Sequence, residues 1–345
     1  MGDKWIFWFE EIGREHNDLV GKKCAHLGEM TKMGVPVPRG FSLSIKAHER
    51  FMKETNAEQE IGQFLSKFGE VHSLKQYEEV SQGLRHIMET KEMPEDMRQA
   101  IMSYYDILCE RCGAGTEVAV SVRSAGTVSH PGQYETYLNI KSKAEVLNKI
   151  VNVWSSIFNT RTIASLVRQG LPVENSPVIG VCVVEMVNAR SAGVGFTCDP
   201  VSGDPCKMMI EGTWGLGESV VSGTLTPDKY IVDKYSLNII ERVISDKEVQ
   251  VVAKGEGTVE EEVPADKRLI SCLSDEEVVG IAEVAKALEL HFGVPQDMEW
   301  AISADLPFPD NIFLLQTRPV AGIKAKTPSS LTRVIDEVVK DVFKL

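Results

Sequence analysis

The sequence predicts an α+β fold in two lobes, and three observations carry that expectation. Helical apolar spacing dominates the first third of the 345-residue chain. From Val118 onward, short β-branched runs alternate with breaker residues, the texture of strands. Composition is that of an ordinary globular chain, 43% hydrophobic and 25% charged, long enough for one large or two modest domains.

Taken in order, Trp5-Ile6-Phe7-Trp8-Phe9 is apolar but stops at Glu10 and Glu11, too short for a signal peptide or a membrane span. Helical spacing runs through Ala25-His26-Leu27-Gly28-Glu29-Met30. The prolines of Val35-Pro36-Val37-Pro38-Arg39-Gly40-Phe41 then forbid helix and favour an extended crossing. Helix is expected from Ala47 to about Met88 and from Pro94 to Leu108, followed by a buried strand at Val118–Val122. One long helix is expected from about Lys143 to Gln169. Strand-like runs follow at Val178–Val187, Gly193–Thr197, Lys207–Ile210, Tyr230–Val232 and Val249–Val252. A helix at Asp275–His291 precedes two last strands, Met298–Ile302 and Ile312–Gln316. The breakers Thr327-Pro328-Ser329-Ser330 set off an amphipathic helix from about Leu331 to Phe343 as an appendage.

Lysine plus arginine come to 37 and aspartate plus glutamate to 50, a net charge of -13. That balance argues against a broad grip on nucleic acid or an anionic membrane, while leaving room for a local phosphate pocket. The seven cysteines, an odd number spread along the chain, read as free thiols in a reducing, cytoplasmic setting. Cys109 and Cys112 form a lone C-x-x-C with no second pair, expected to be two thiols near a helix end rather than a zinc site.

Standard nucleotide signatures fail. Gly21-Lys22 is followed by Lys23, and His16 stands where a Walker loop needs glycine. Gly193-Val194-Gly195 and Gly215-Leu216-Gly217 meet Cys198 and Val220 where the dinucleotide fingerprint needs its third glycine. A nucleotide site here must be of another design.

Four segments could carry such chemistry. Gly21-Lys22-Lys23-Cys24-Ala25 puts a lysine at a helix start, where amide donors and a mobile charge suit an anion. Val122-Arg123-Ser124-Ala125-Gly126-Thr127, continuing to His130-Pro131-Gly132, joins an arginine at a strand end to a small-residue loop able to close over phosphates. Glu211 to Gly223, followed by Thr226-Pro227-Asp228, has the close glycines that permit backbone approach to a ligand, and Glu211 and Glu218 are acceptors within it. Met298-Glu299-Trp300-Ala301 and Leu315-Gln316-Thr317-Arg318-Pro319 read as adjacent strands. Glu299 and Gln316 there offer oxygen ligands suited to Mg²⁺, beside the fixed cation Arg318.

With these segments in view, the sequence from about Val20 to Gly322 resembles the N-terminal, ATP-grasp-type nucleotide-binding domain of phosphoenolpyruvate synthase and pyruvate phosphate dikinase, relatives also seen in rifampin phosphotransferase. Val122-Arg123-Ser124, Asn159-Thr160-Arg161, Glu185-Met186-Val187, the Gly-Leu-Gly-Glu turn and Leu315-Gln316-Thr317-Arg318-Pro319 carry the resemblance. It implies a first lobe over 1–190, a second over 191–325 and a helical appendage over 326–345, with ATP and Mg²⁺ bound between the lobes. Lys23 would hold the ATP phosphates, with Lys22 the alternative because Lys22, Cys24 and His26 depart from the family's Gly-Gly-Lys-Gly-Ala-Asn. Arg123 would bind the transferring phosphoryl groups, Arg161 would face the phosphates, and the loop from Ser124 to Gly132, including Thr127, would be a lid. Glu185, Met186 and Val187 would receive adenine, Glu218 would face the ribose or a phosphate-binding cation, Glu299 and Gln316 would hold Mg²⁺, and Arg318 would stabilise transferred charge. His130 stands where dikinases usually carry methionine and is expected to be an exposed loop residue.

The family passes phosphate to a histidine within a Gly-Gly-x-Thr-Ser/Cys-His type motif, and none of the seven histidines sits in one. The resemblance therefore implies a separate partner subunit carrying that histidine, as in phenylphosphate synthase, whose small subunit resembles the synthase ATP domain. The alternatives are an ATP-binding domain of an ordinary synthase or antibiotic phosphotransferase, and a non-catalytic ATP-sensing subunit.

Overall fold

The computed structural model describes residues 4–69, 73–113, 115, 117–127 and 134–321. The expected helix over 331–343 and His130 lie outside them. The chain divides into two units: Met1–Glu29, Arg39–Met186 and Gly255–Gly257 in the first, Met30–Pro38, Val187–Lys254 and Thr258–Leu345 in the second.

The first unit is a five-stranded antiparallel sheet with helices packed on it. It contains β1 (Ile6–Trp8), α1 (Asn17–Val20), most of α2 (Lys22–Lys32), β2 (Gly40–Leu43), α3 (Ile45–Glu54), α4 (Ala57–Phe68), α5 (Leu74–Glu89), α6 (Glu95–Arg111), β3 (Val120–Ala125), β4 (Thr136–Ile140), α7 (Lys143–Ser155), α8 (Thr160–Arg168) and β5 (Gly180–Glu185). Strand order is β1-β2-β5-β3-β4. The extended crossing expected after Val35 ends as β2, whose Gly40 leaves no room for a side chain: a Cβ there would lie 2.5 Å from Val183 O and 2.6 Å from the Phe9 ring. The core of this unit gathers Phe41, Phe51, Leu84, Tyr105, Ile150, Trp154 and Val183 around the helix-covered sheet.

The helix expected to run unbroken from Lys143 to Gln169 is two helices. Ser156–Phe158 forms a buried 3₁₀ turn, and the Asn159 side chain accepts from Thr162 N at 2.9 Å, starting α8 afresh. Such side-chain caps compete with helix continuation, and apolar spacing does not register them. The same device starts α7, where Ser142 Oγ accepts from Glu145 N at 3.2 Å.

The second unit is a six-stranded antiparallel sheet, order β13-β12-β6-β7-β8-β9, with a separate β10–β11 hairpin. Its elements are β6 (Ala189–Phe196), β7 (Lys207–Trp214), α9 (Glu218–Ser222), β8 (Asp228–Asp233), β9 (Ile239–Val243), β10 (Val249–Ala253), β11 (Thr258–Glu262), α10 (Asp275–Phe292), β12 (Gln296–Ser303) and β13 (Ile312–Pro319). α10 begins with a reciprocal Ser274–Glu277 capping box and ends at the left-handed Gly293. It packs against the face bearing Trp300, Ile312 and Leu314, approaching closely at Gly280, where a Cβ would lie 2.7 Å from Ile312 Cδ1.

Of the glycines that failed the dinucleotide fingerprint, Gly193 lies in this packing layer beside another strand glycine, Gly212. Gly193 and Gly212 are cross-strand neighbours in the row that Trp300 continues. A Cβ on Gly212 would lie 2.7 Å from the indole, whose Nε1 donates to Val194 O at 2.9 Å. Among the described residues no helix is long and apolar enough to cross a membrane.

Candidate functional site

Two sets of side chains matter, one on each unit.

On the first unit, α2 starts hard against the end of β3. Lys22 N donates to Gly126 O at 2.9 Å, and Gly21 adopts φ +80° with its would-be Cβ only 2.1 Å from Ala125 O. Only glycine permits that approach. Lys22 points into solvent while Lys23 is half-buried. Arg123 is half-buried on β3, Ser124 is buried, and Cys182 stands opposite Arg123 in the register of β5. Burial and the neighbouring Cys24 thiol push the Cys182 thiol well above its ordinary range, and the positive charges of Arg123 and Lys23 oppose that rise. One buried thiol thus feels both cations, so the lysine of the first motif and the arginine of the second converge on one corner. Half-burial and this convergence favour Lys23 over Lys22 as the inward cation.

Arg161 is exposed in the first turn of α8. Glu185, at the end of β5, is tied to Arg39: its N–H donates to Arg39 O at 2.8 Å and its Oε2 accepts from Arg39 N at 3.3 Å. Met186 N donates to Ala119 O at 2.8 Å. Two of the three N–H groups in the expected adenine segment are therefore spent on the backbone, which leaves the N–H of Val187 and the carbonyls of Glu185, Met186 and Val187 as its other polar main-chain groups. Cys112 lies against Glu185, and burial with that carboxylate pushes its thiol up to about 12. Among the described residues no group of three or more His, Cys, Asp or Glu could hold a metal ion; Cys109 is buried and Cys112 half-buried at the end of α6.

On the second unit, β12 and β13 pair so that Glu299 opposes Gln316 and Asp297 opposes Arg318. Directly opposed residues share a face, so all four lie on the side away from Trp300 and α10. The register slips opposite the Glu299–Trp300 step, where Leu315 is the extra residue of a bulge in β13. Arg318 binds Asp297 through Nε and Nη2, both 2.7 Å from Oδ2, which fixes the guanidinium. Burial raises the Asp297 carboxyl above its ordinary range, against the pull of Arg318, and Glu299 adds to the rise. The same row continues through Val194 to Glu211 and Lys229. Burial likewise raises Glu211, opposed by Lys229. Two strand spacings put Glu211 about 10 Å from Glu299. Glu218 is exposed as the first residue of the short α9.

Asp297 is the residue that sequence reasoning missed. Its signal was present: it stands two positions before Glu299 in a strand, hence on the same face.

The donor set fits Mg²⁺. One carboxylate and one amide oxygen face each other across a strand pair, and that ion takes one or two protein oxygens while keeping waters and phosphate oxygens for the rest. The corner at Gly21, with Lys23 and Arg123, fits a polyanion.

An α+β chain with a cationic corner on one antiparallel sheet and a carboxylate–amide–arginine face on another defines a nucleotide-binding protein of the ATP-grasp type. The family model for the pyruvate phosphate dikinase, AMP/ATP-binding domain, matches residues 17–337, and the chain belongs to that family. It is 36% identical over 344 residues to a probable phosphoenolpyruvate synthase of Methanothermobacter thermautotrophicus, covering 98% of this chain and 49% of that protein. It is 39% identical over 329 residues to a probable phosphoenolpyruvate synthase of Methanocaldococcus jannaschii, covering 93% of this chain and 27% of that one. It is 32% identical over 385 residues to the phosphoenolpyruvate synthase of Pyrococcus furiosus, covering 98% and 46%. The chain spans half or less of the length of these curated relatives.

Proposed function

We propose that this chain is the ATP-binding catalytic subunit of a phosphoenolpyruvate-synthase-like phosphotransferase. It cleaves ATP and phosphorylates a histidine on a separate partner subunit, with phenol as final acceptor in a phenylphosphate synthase. The supporting observation is that each unit carries half of a phosphoryl-transfer kit: Lys23 and Arg123 converge on Cys182, and Glu299, Gln316 and Arg318 share one sheet face. The overall reaction would be phenol, ATP and water giving phenylphosphate, AMP and phosphate.

In this reading Lys23 places a point charge on the nucleotide phosphates, and Arg123 forks onto the oxygens of the transferring groups. Ser124, Thr127 and Arg161 add donors around them. Glu185, Met186 and Val187 flank adenine, mainly through main-chain carbonyls, and Glu218 faces the ribose or a cation. Glu299 and Gln316 would hold the metal, which when bound would supply charge neutralisation. Asp297 orients Arg318, so the guanidinium meets developing negative charge without reorganising. Free thiols and net acidity support a cytoplasmic setting without a nucleic-acid or membrane partner.

The choice of phenol rests on resemblance alone. The relatives favour a second reading, the ATP-binding half of a phosphoenolpyruvate synthase, with pyruvate as acceptor. Labelling decides between them. The chain, purified from its host with its associated polypeptides, is given Mg²⁺ and ATP labelled at the β or the γ phosphate. Acid-labile, alkali-stable label is expected on a histidine of a second polypeptide, discharged by phenol and not by pyruvate. Discharge by pyruvate alone selects the second reading, and ATP cleavage without a labelled histidine contradicts both.

A further inference from the structure

The face that carries Glu299 and Gln316 holds one carboxylate with no role in the reading above. Glu211 lies in the same cross-strand row, reached from Glu299 through Val194. It is half-buried on β7, an interior strand of the six-stranded sheet. Its cross-strand neighbour Lys229 binds Glu241 instead, Nζ to Oε1 2.7 Å. Among the described residues no hydrogen bond or ion pair reaches the Glu211 carboxylate, and burial raises it above its ordinary range against the pull of Lys229. A half-buried anion with no protein partner is costly to keep, and such groups mark places where a ligand supplies the partner.

Position narrows the choice of ligand. Glu299 and Gln316 oppose each other directly and can share one ion at about 2.1 Å, whereas Glu211, two strand spacings or about 10 Å away, falls outside that shell. A phosphate group would meet like charge. The nucleoside belongs elsewhere: the expected adenine segment ends at Val187, just before β6, while Val194 lies five residues into that strand from Ala189, about 16 Å along it. Glu211 therefore stands level with the metal-binding pair, beside the terminal phosphates. What must come to that place is the acceptor, an imidazole with one nitrogen to attack and one N–H to donate.

Given the histidine acceptor proposed above, we propose that Glu211 is a catalytic residue that accepts the N–H of the incoming imidazole. One ring nitrogen bonds to phosphorus as the P–O bond to the nucleotide breaks, and the electron pair of that bond leaves on the nucleotide oxygen. The positive charge developing on the ring falls beside the Glu211 carboxylate, which takes the proton of the other ring nitrogen. Burial suits the carboxylate to this task, because a raised carboxyl is the better proton acceptor.

The test is single-turnover labelling of histidine on the chain purified with its associated polypeptides, at saturating Mg²⁺ and ATP labelled at the β or the γ phosphate. Glu211→Gln is expected to slow transfer at least about 100-fold, with ATP affinity, thermal unfolding and association with the labelled polypeptide unchanged. Glu211→Asp should regain part of that rate. A carboxylate that served only to balance Lys229 would make Lys229→Met as damaging as Glu211→Gln; the expected Lys229→Met rate is within about threefold of wild type. Undiminished transfer in folded Glu211→Gln, a loss seen in ATP or Mg²⁺ affinity instead of rate, or loss of the associated polypeptide would each overturn the role of Glu211 while leaving transfer to histidine standing. No labelled histidine with the wild type would remove that transfer and this role together.

Discussion

On the proposed function, replacing Arg318 by alanine is expected to cut phosphoryl transfer to the acceptor histidine by about 10³-fold, roughly 4 kcal/mol of transition-state stabilisation, while the fold survives. The size follows from what the guanidinium is in this structure. Held by Asp297 at 2.7 Å, it is a fixed donor that pays no reorganisation when charge moves. Survival of the fold follows from Asp297. Its carboxyl is already raised by burial, and removing Arg318 takes away the interaction that opposes the rise, so the neutral form becomes easier to reach. The pH dependence has a definite sign. With its folded-state value above the ordinary 3.8, Asp297 makes the native state bind more protons than the unfolded chain within that window, so its contribution to stability falls as pH rises through it. Arg318→Ala should widen the window, losing more stability than wild type as pH rises above the ordinary carboxylate range in urea titrations. Undiminished transfer would remove Arg318 from the site, and a flat difference with pH would remove the coupling to Asp297.

The second large effect is structural. Asp228 and Lys247 form a fully buried ion pair, Nζ to Oδ1 2.6 Å, inside the second unit. Asp228 also accepts from Ser245 N and Cys272 N, each at 2.9 Å. Asp228→Ala strands a buried ammonium and two main-chain donors, and should cost about 3–5 kcal/mol. Replacing both partners by leucine should recover a large part of that loss, because the charges then vanish together. Urea unfolding followed by a probe in the second unit reads both values. A loss below about 1 kcal/mol for Asp228→Ala would mean that the pair is solvated in solution.

Asp228 also shows what the sequence could and could not tell. Thr226-Pro227-Asp228 reads as the tail of a ligand-approaching loop, yet the carboxylate is a buried hub whose cation lies 19 residues further on. No local pattern announces that pairing. The strands β9 and β11 were illegible for a related reason. Their residues are mostly exposed, so no apolar alternation marks them. By contrast, β12, β13 and α10 were legible almost to their ends, because one face of each is buried. The unbroken helix expected across Asn159 failed on a cap, which acts through one side-chain hydrogen bond and leaves hydrophobic periodicity intact.

At the site, the residue types were legible and their neighbours were not. Glu299, Gln316 and Arg318 stood out as polar groups in apolar strands, and the register shows them on one face. Asp297 is marked only by the two-residue period that brings it alongside Glu299, a weaker signal than an isolated carboxylate between apolar residues. The convergence of Lys23 and Arg123 depends on Gly21 meeting Ala125, a contact between segments a hundred residues apart that spacing alone cannot reveal.

The proposed function requires binding of one magnesium-bound nucleotide to depend on both residue sets. Calorimetric titration of ATP into the purified chain, with Mg²⁺ and again with EDTA, tests it on three proteins: wild type, Arg123→Ala and Glu299→Ala. One ATP per chain is expected, weakened at least tenfold by Arg123→Ala in both conditions and by Glu299→Ala only when Mg²⁺ is present. Wild-type affinity in either variant with Mg²⁺, or an equal loss in Glu299→Ala with EDTA, would contradict it.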